Sequence, residues 1–117
     1  MSYDIELHNE KGEICKLLNQ QHLGGGTYQL GGTEDARFNI TYNYAGHFYH
    51  VMGEKGIRTI YGIKALDSIP FLANAARALR ADVDDDYWKP TEGNARQAIL
   101  TLINMASQCP DGIWFGD

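Results

Sequence analysis

Apolar and polar residues alternate from the start of the chain. Tyr3, Ile5 and Leu7 interleave with Asp4, Glu6 and His8, the period-two pattern of a half-buried strand. Asn9-Glu10-Lys11-Gly12 supplies turn chemistry, and Glu13 to Leu18 resumes an extended pattern, so an N-terminal β-hairpin is predicted. Gly24, Gly25 and Gly26 then break the chain before a short strand-like piece, Thr27 to Leu30, which Gly31 and Gly32 close. The most regular strand pattern runs from Ala36 to Tyr44. It sets Phe38, Ile40, Tyr42 and Tyr44 on one face and Asn39, Thr41 and Asn43 on the other. Between Gly46 and Gly53 the apolar positions fit either period, and the reading adopted is a helical turn ended by Gly53.

The second half changes period. Leu66, Ile69, Leu72, Ala73, Ala76 and Leu79 recur at three- and four-residue spacing, which predicts an amphipathic helix of about 14 residues. Asp67 or Ser68 stands near its start, with Pro70 in its first turn. The acids from Asp82 to Asp86 end it and lead through Tyr87-Trp88-Lys89-Pro90 to Thr91. That threonine is a cap for a second helix carrying Ala95, Ala98, Ile99, Leu102, Ile103 and Ala106. Cys109-Pro110 stops this helix, and the apolar tail of Ile113, Trp114 and Phe115 is expected to dock on the body. Strands first and helices later predict an α+β fold: an antiparallel sheet of three to four strands, N-terminal hairpin first, packed against two C-terminal amphipathic helices. One domain over residues 1–117 is expected.

Composition narrows the function classes. Hydrophobic residues at 44% and charged residues at 21% are those of a globular chain. A formal net charge of −5 gives no general attraction for a polyanion, so nucleic acid is not an expected partner and a basic protein surface is. Only Cys15 and Cys109 occur, outside any CxxC or metal-like spacing, and are read as two free thiols. The N-terminal residues show no basic stretch followed by an apolar core. No apolar run approaches the roughly 20 residues of a membrane span, so a cytoplasmic protein without a membrane partner is expected. The Asn39-Ile40-Thr41 sequon has meaning only in a secreted chain. Oligomeric state has no sequence signature here.

Candidate chemistry is sparse. His47 and His50 would share a face of a helical turn with Glu54 beyond them, but no further ligand cluster accompanies them, so no metal is expected. Neither glycine run ends in the Gly-Lys-Ser/Thr that a phosphate loop needs, and the Asp82–Asp86 run lacks the glycine and distal Glu of a calcium loop. No nucleophile and base can be paired, so no catalytic residue and no cofactor are assigned. Two surfaces remain. Asp84, Asp85, Asp86, Tyr87 and Trp88 combine acids with exposed-looking aromatics and suit a partner protein with a basic surface. Asn39, Thr41, Asn43, His47, His50 and Arg58, with Tyr49 and Tyr61 near them, could instead ring a pocket for a nucleotide or other phosphate.

Several blocks taken together resemble a family of small proteins encoded by bacteriophages and prophages. They are Asn39 to Tyr44, Gly53 to Arg58 with Ile60-Tyr61-Gly62, Tyr87-Trp88, Thr91 to Ala95, and Pro110 to Trp114. The resemblance spans most of the chain and implies a setting, a host cell, without an assigned activity or any catalytic residue. It favours an accessory protein that binds a host protein, with inhibition of a host defence system among the expected roles. A small-molecule binder or enzyme, and a component of virion assembly, are the rival expectations.

Overall fold

The computed structural model describes residues 2–21 and 33–117. The expected strand Thr27 to Leu30 and the glycines at 24–26, 31 and 32 lie outside the described residues. The fold is α+β. Strand β1 (Ser2–His8) is the centre of a three-stranded antiparallel sheet, flanked by β4 (Arg37–Thr41) and β5 (Ile113–Gly116), while β2 (Lys16–Gln21) and β3 (Thr33–Asp35) form a separate two-stranded sheet. Tyr3, Ile5 and Leu7, the apolar phase of β1, are buried as the alternation requires.

The predicted hairpin opens early. Asn9 closes its turn by accepting from the Lys11 and Glu13 amides, and His8 bridges to Ile14. Pairing then stops, because both edges of β1 are taken. Ser2 to Glu6 pair with β4 and Ile5 to His8 with β5. At the point of divergence three chains share one set of hydrogen bonds: Leu7 donates to Ala36 O, Cys15 donates to Leu7 O, and Ala36 donates to Cys15 O, each at 2.9 Å. Lys16 onward turns away to pair with β3.

The strand expected through Tyr44 ends at Thr41. Thr41 Oγ1 accepts from the Asn43 amide and turns the chain into one 3-10 turn, Tyr42–Tyr44. Tyr42 therefore packs edge-on against Tyr3, at 4.6 Å between centroids, and Tyr44 is buried separately. Helix α1 (Ala45–Met52) follows, ended by Gly53 at φ 95°, which is the helical reading of this segment. A second 3-10 segment spans Gly56–Ile60.

Helix α2 (Ala65–Arg77) starts one turn before Asp67 and Ser68 could cap it. Its first amides find acceptors elsewhere in the chain: Ala65 donates to Gly112 O at 2.7 Å and Leu66 to Pro110 O at 3.0 Å. Pro70 consequently sits in the second turn rather than the first. It is tolerated on the solvent-facing side, where the Leu66 carbonyl it leaves without a helical donor lies on an exposed residue. Helix α3 (Glu92–Gln108) is capped by Thr91, whose hydroxyl accepts from Asn94 N at 3.0 Å. Cys109 ends it.

The tail docks as β5. Trp114 is fully buried and its indole donates to Ser68 Oγ at 2.8 Å, while Gly62 and Ile63 cover the outer edge of the strand. Ile5, Leu7, Ile40, Phe48, Leu72, Ile99 and Leu102 fill one continuous core between the sheet and the helices. Among the described residues no helix is long and apolar enough to cross a membrane.

Candidate functional site

The chain from Asp82 to Pro90 has no regular structure, yet its backbone is held at almost every step. Within the loop, Asp84 accepts from the Asp86 amide at 2.8 Å and Asp86 accepts from the Trp88 amide at 3.1 Å, two successive side-chain turns. Helix α3 grips it from below. Asn94 Oδ1 accepts from the Asp84 amide at 2.9 Å, and Asn94 Nδ2 donates to Asp86 O at 3.0 Å and Lys89 O at 2.9 Å. Asp82 in return accepts from the Gly93 amide at 3.1 Å. One buried asparagine thus fixes three points of the loop.

The opposite side is held by the segment from β4 to α1. Tyr87 turns inward, and its hydroxyl accepts from Thr41 N at 2.9 Å while donating to Asn39 O at 3.2 Å. Those two groups point outward from edge strand β4, so the phenol takes the place of a neighbouring strand. Tyr44 donates its hydroxyl to Tyr87 O. Burial first, then Tyr87 and Asp86, raise the Tyr44 pKa, so the phenol stays a donor at neutral pH. Asn43 Nδ2 donates to Trp88 O at 2.8 Å and His47 Nε2 donates to Pro90 O at 2.8 Å.

Facing solvent, this framework presents Trp88, 47% exposed, and the exposed Val83, Asp85 and Asp86. Beneath Asp84 and Asp85 opens a mainly apolar cleft of about 280 Å³ with Phe38, Tyr44, Val83, Tyr87 and Ala98 in its walls. The Asp86 amide, and secondly Lys89 at 3.3 Å, hold the Asp84 carboxyl below the usual range, so it is an anion at the cleft rim. From Arg80 to Glu92 five acids stand against two bases.

The two residue sets singled out from sequence therefore meet in one structure. Of the proposed partner surface, Asp84, Asp85, Asp86 and Trp88 lie on the outer loop, whereas Tyr87 is a structural bridge. Of the proposed ligand pocket, Asn43 and His47 contact the loop through their side chains, and Asn39 and Thr41 through their backbone. The Asn39 side chain donates to Ser2 Oγ and Asp4 Oδ1 instead. His50 is exposed on α1. Arg58 lies apart, donating to Asp117 O at 2.9 Å and Tyr42 Oη at 3.0 Å beneath the ring of Tyr3. The six do not ring one pocket. Among the described residues no group of three or more His, Cys, Asp or Glu side chains gathers to hold a metal ion.

Sequence reasoning missed Asn94, Tyr44 and Gly93. The only trace available was Asn94 in the third position after the Thr91 cap, a place where a polar side chain can reach back to the preceding loop. Comparison with protein-family models, with curated proteins and with solved structures finds no match.

Proposed function

We propose that the chain is a non-enzymatic phage or prophage accessory protein that captures a host protein through the Asp82–Pro90 loop. The observation that carries this reading is the division of labour within the loop. Its backbone is fixed by Asn94, Tyr44, Asn43 and His47, while Trp88, Val83 and Asp85 face outward around an apolar cleft. A loop already ordered in the free protein loses less conformational entropy on binding, and a rigid exposed tryptophan is the type of residue that anchors an interface. The partner this surface suits offers an apolar side chain for the cleft and basic residues for Asp84 and Asp85. The blocks Asn39 to Tyr44, Tyr87-Trp88 and Thr91 to Ala95, which carry the resemblance to phage proteins, are also the blocks that build the loop and its supports. That resemblance favours a host protein as the partner, with defence systems among the candidates.

The test is affinity capture from bacterial lysate with the wild-type chain and with Trp88→Ala and Asp85→Lys variants of unchanged melting temperature. A partner retained by the wild type and lost by both variants supports the reading. Equal recovery on all three removes this loop as the binding surface.

A further inference from the structure

Cys15 and Cys109, 94 positions apart in sequence, come together in the fold. Cys15 is fixed by the junction at which it donates to Leu7 O and accepts from Ala36 N. Cys109 ends α3, and its thiol donates to Lys16 O at 3.3 Å, the carbonyl of the residue next to Cys15. The two thiols are near enough for Cys15 to add to the upward shift of the Cys109 thiol. A Cβ at Gly112 would stand 3.1 Å from Cys15 Sγ and 3.3 Å from Cys109 O, so the absence of a side chain there leaves room for the approach. Both cysteines are partly exposed, and both line an open groove of about 360 Å³ with Asn9, Lys16, Gln108 and Asp111 around it.

We propose that Cys15 and Cys109 form a dithiol site that reacts with small-molecule disulfides and closes to an intramolecular disulfide, tying the N-terminal turn to the end of α3. The groove admits the reagent. In the first step the Cys15 thiolate attacks one sulfur of the small disulfide, forming a mixed disulfide and releasing one thiolate. In the second, Cys109 gives up its proton to solvent and its thiolate attacks Cys15 Sγ, releasing the second small thiolate. The protein loses two hydrogens, and the reagent is reduced to two thiols. The order follows from the surroundings of Cys109. Burial, and then the charge on Cys15, push its thiol up to about 11, so it is the poorer first nucleophile. Once Cys15 is capped its charge is gone, and the second step is eased.

The experiment treats the folded full chain with oxidised glutathione and maps the products by peptide mass spectrometry, with melting temperatures before and after. The expected product is the Cys15–Cys109 cross-link with no retained glutathione. A rise in melting temperature of roughly 10 °C should accompany it and be reversed by dithiothreitol, because a long closed loop restricts the unfolded chain. Cys109→Ser should stop at a glutathione adduct on Cys15. Stable adducts on both cysteines of the wild type, cross-links between chains, or thiols that stay unreacted in the folded protein would each overturn the proposal.

Discussion

Gly93 decides whether the loop can lie against the first turn of α3. A Cβ at this position would stand 2.3 Å from the Asp82 carbonyl carbon and 2.4 Å from the Val83 nitrogen, and backbone cannot move aside as a flexible side chain can. Gly93→Ala is therefore expected to cost about 3 kcal/mol in denaturant unfolding, an unchanged midpoint being the contrary result. The Tyr87 hydroxyl serves two backbone groups of β4. Replacing it by Phe keeps the ring packing against Tyr44 and removes the hydroxyl that serves both Thr41 N and Asn39 O. A loss of about 1–2 kcal/mol is expected, measured in the same way. Neither role was legible in the sequence. A glycine at a close approach looks like any other glycine, and a tyrosine beside a tryptophan and three acids reads as surface until its direction is known.

At the scale of elements, most local signals were read well, the turn at Thr41 that ends β4 being the exception. The Thr91 cap, the stop at Cys109-Pro110 and the end of α1 at Gly53 all follow from residues within one turn. Two other misread boundaries were set from a distance. The hairpin opens because β4 and β5 occupy both edges of β1, and α2 begins early because Pro110 and Gly112 accept its first amides. The Asp82–Pro90 loop was legible as a loop and as an acidic aromatic segment, but not as a held one. Its order can be checked by amide hydrogen exchange. The Asp84, Asp86 and Trp88 amides each donate to a side-chain oxygen and should exchange well below open-chain rates. Asn94→Ala should bring Asp84 close to the open-chain rate, and equal exchange in the two proteins would contradict the role given to Asn94.

For the whole molecule, the buried phenols set an alkaline limit to stability. Burial raises Tyr3, with a neighbouring phenol, Tyr49, adding to it, to about 12, and burial raises Tyr44 and Tyr61 as well. Unfolded tyrosine titrates near 10. Below that pH both states keep the proton and the stability is complete. As pH rises from about 10 towards the folded value the unfolded chain ionises first and stability falls. A stability that falls across this range, with the Tyr3, Tyr44 and Tyr61 phenolates appearing only together with loss of structure, is the expected behaviour. Ionisation of Tyr3, Tyr44 or Tyr61 at about pH 10, read residue by residue by NMR in a chain still folded, would contradict it.

The same core that buries these phenols carries the loop, so surface variants at Trp88 and Asp85 can be made without disturbing the fold. The most direct measurement is a calorimetric titration of the captured host protein, purified, into wild type, Trp88→Ala and Asp85→Lys at low and raised salt. Each variant should bind at least about tenfold more weakly at unchanged melting temperature, and wild-type binding should weaken as salt screens the acidic rim. Affinities equal in all three proteins and indifferent to salt would contradict it.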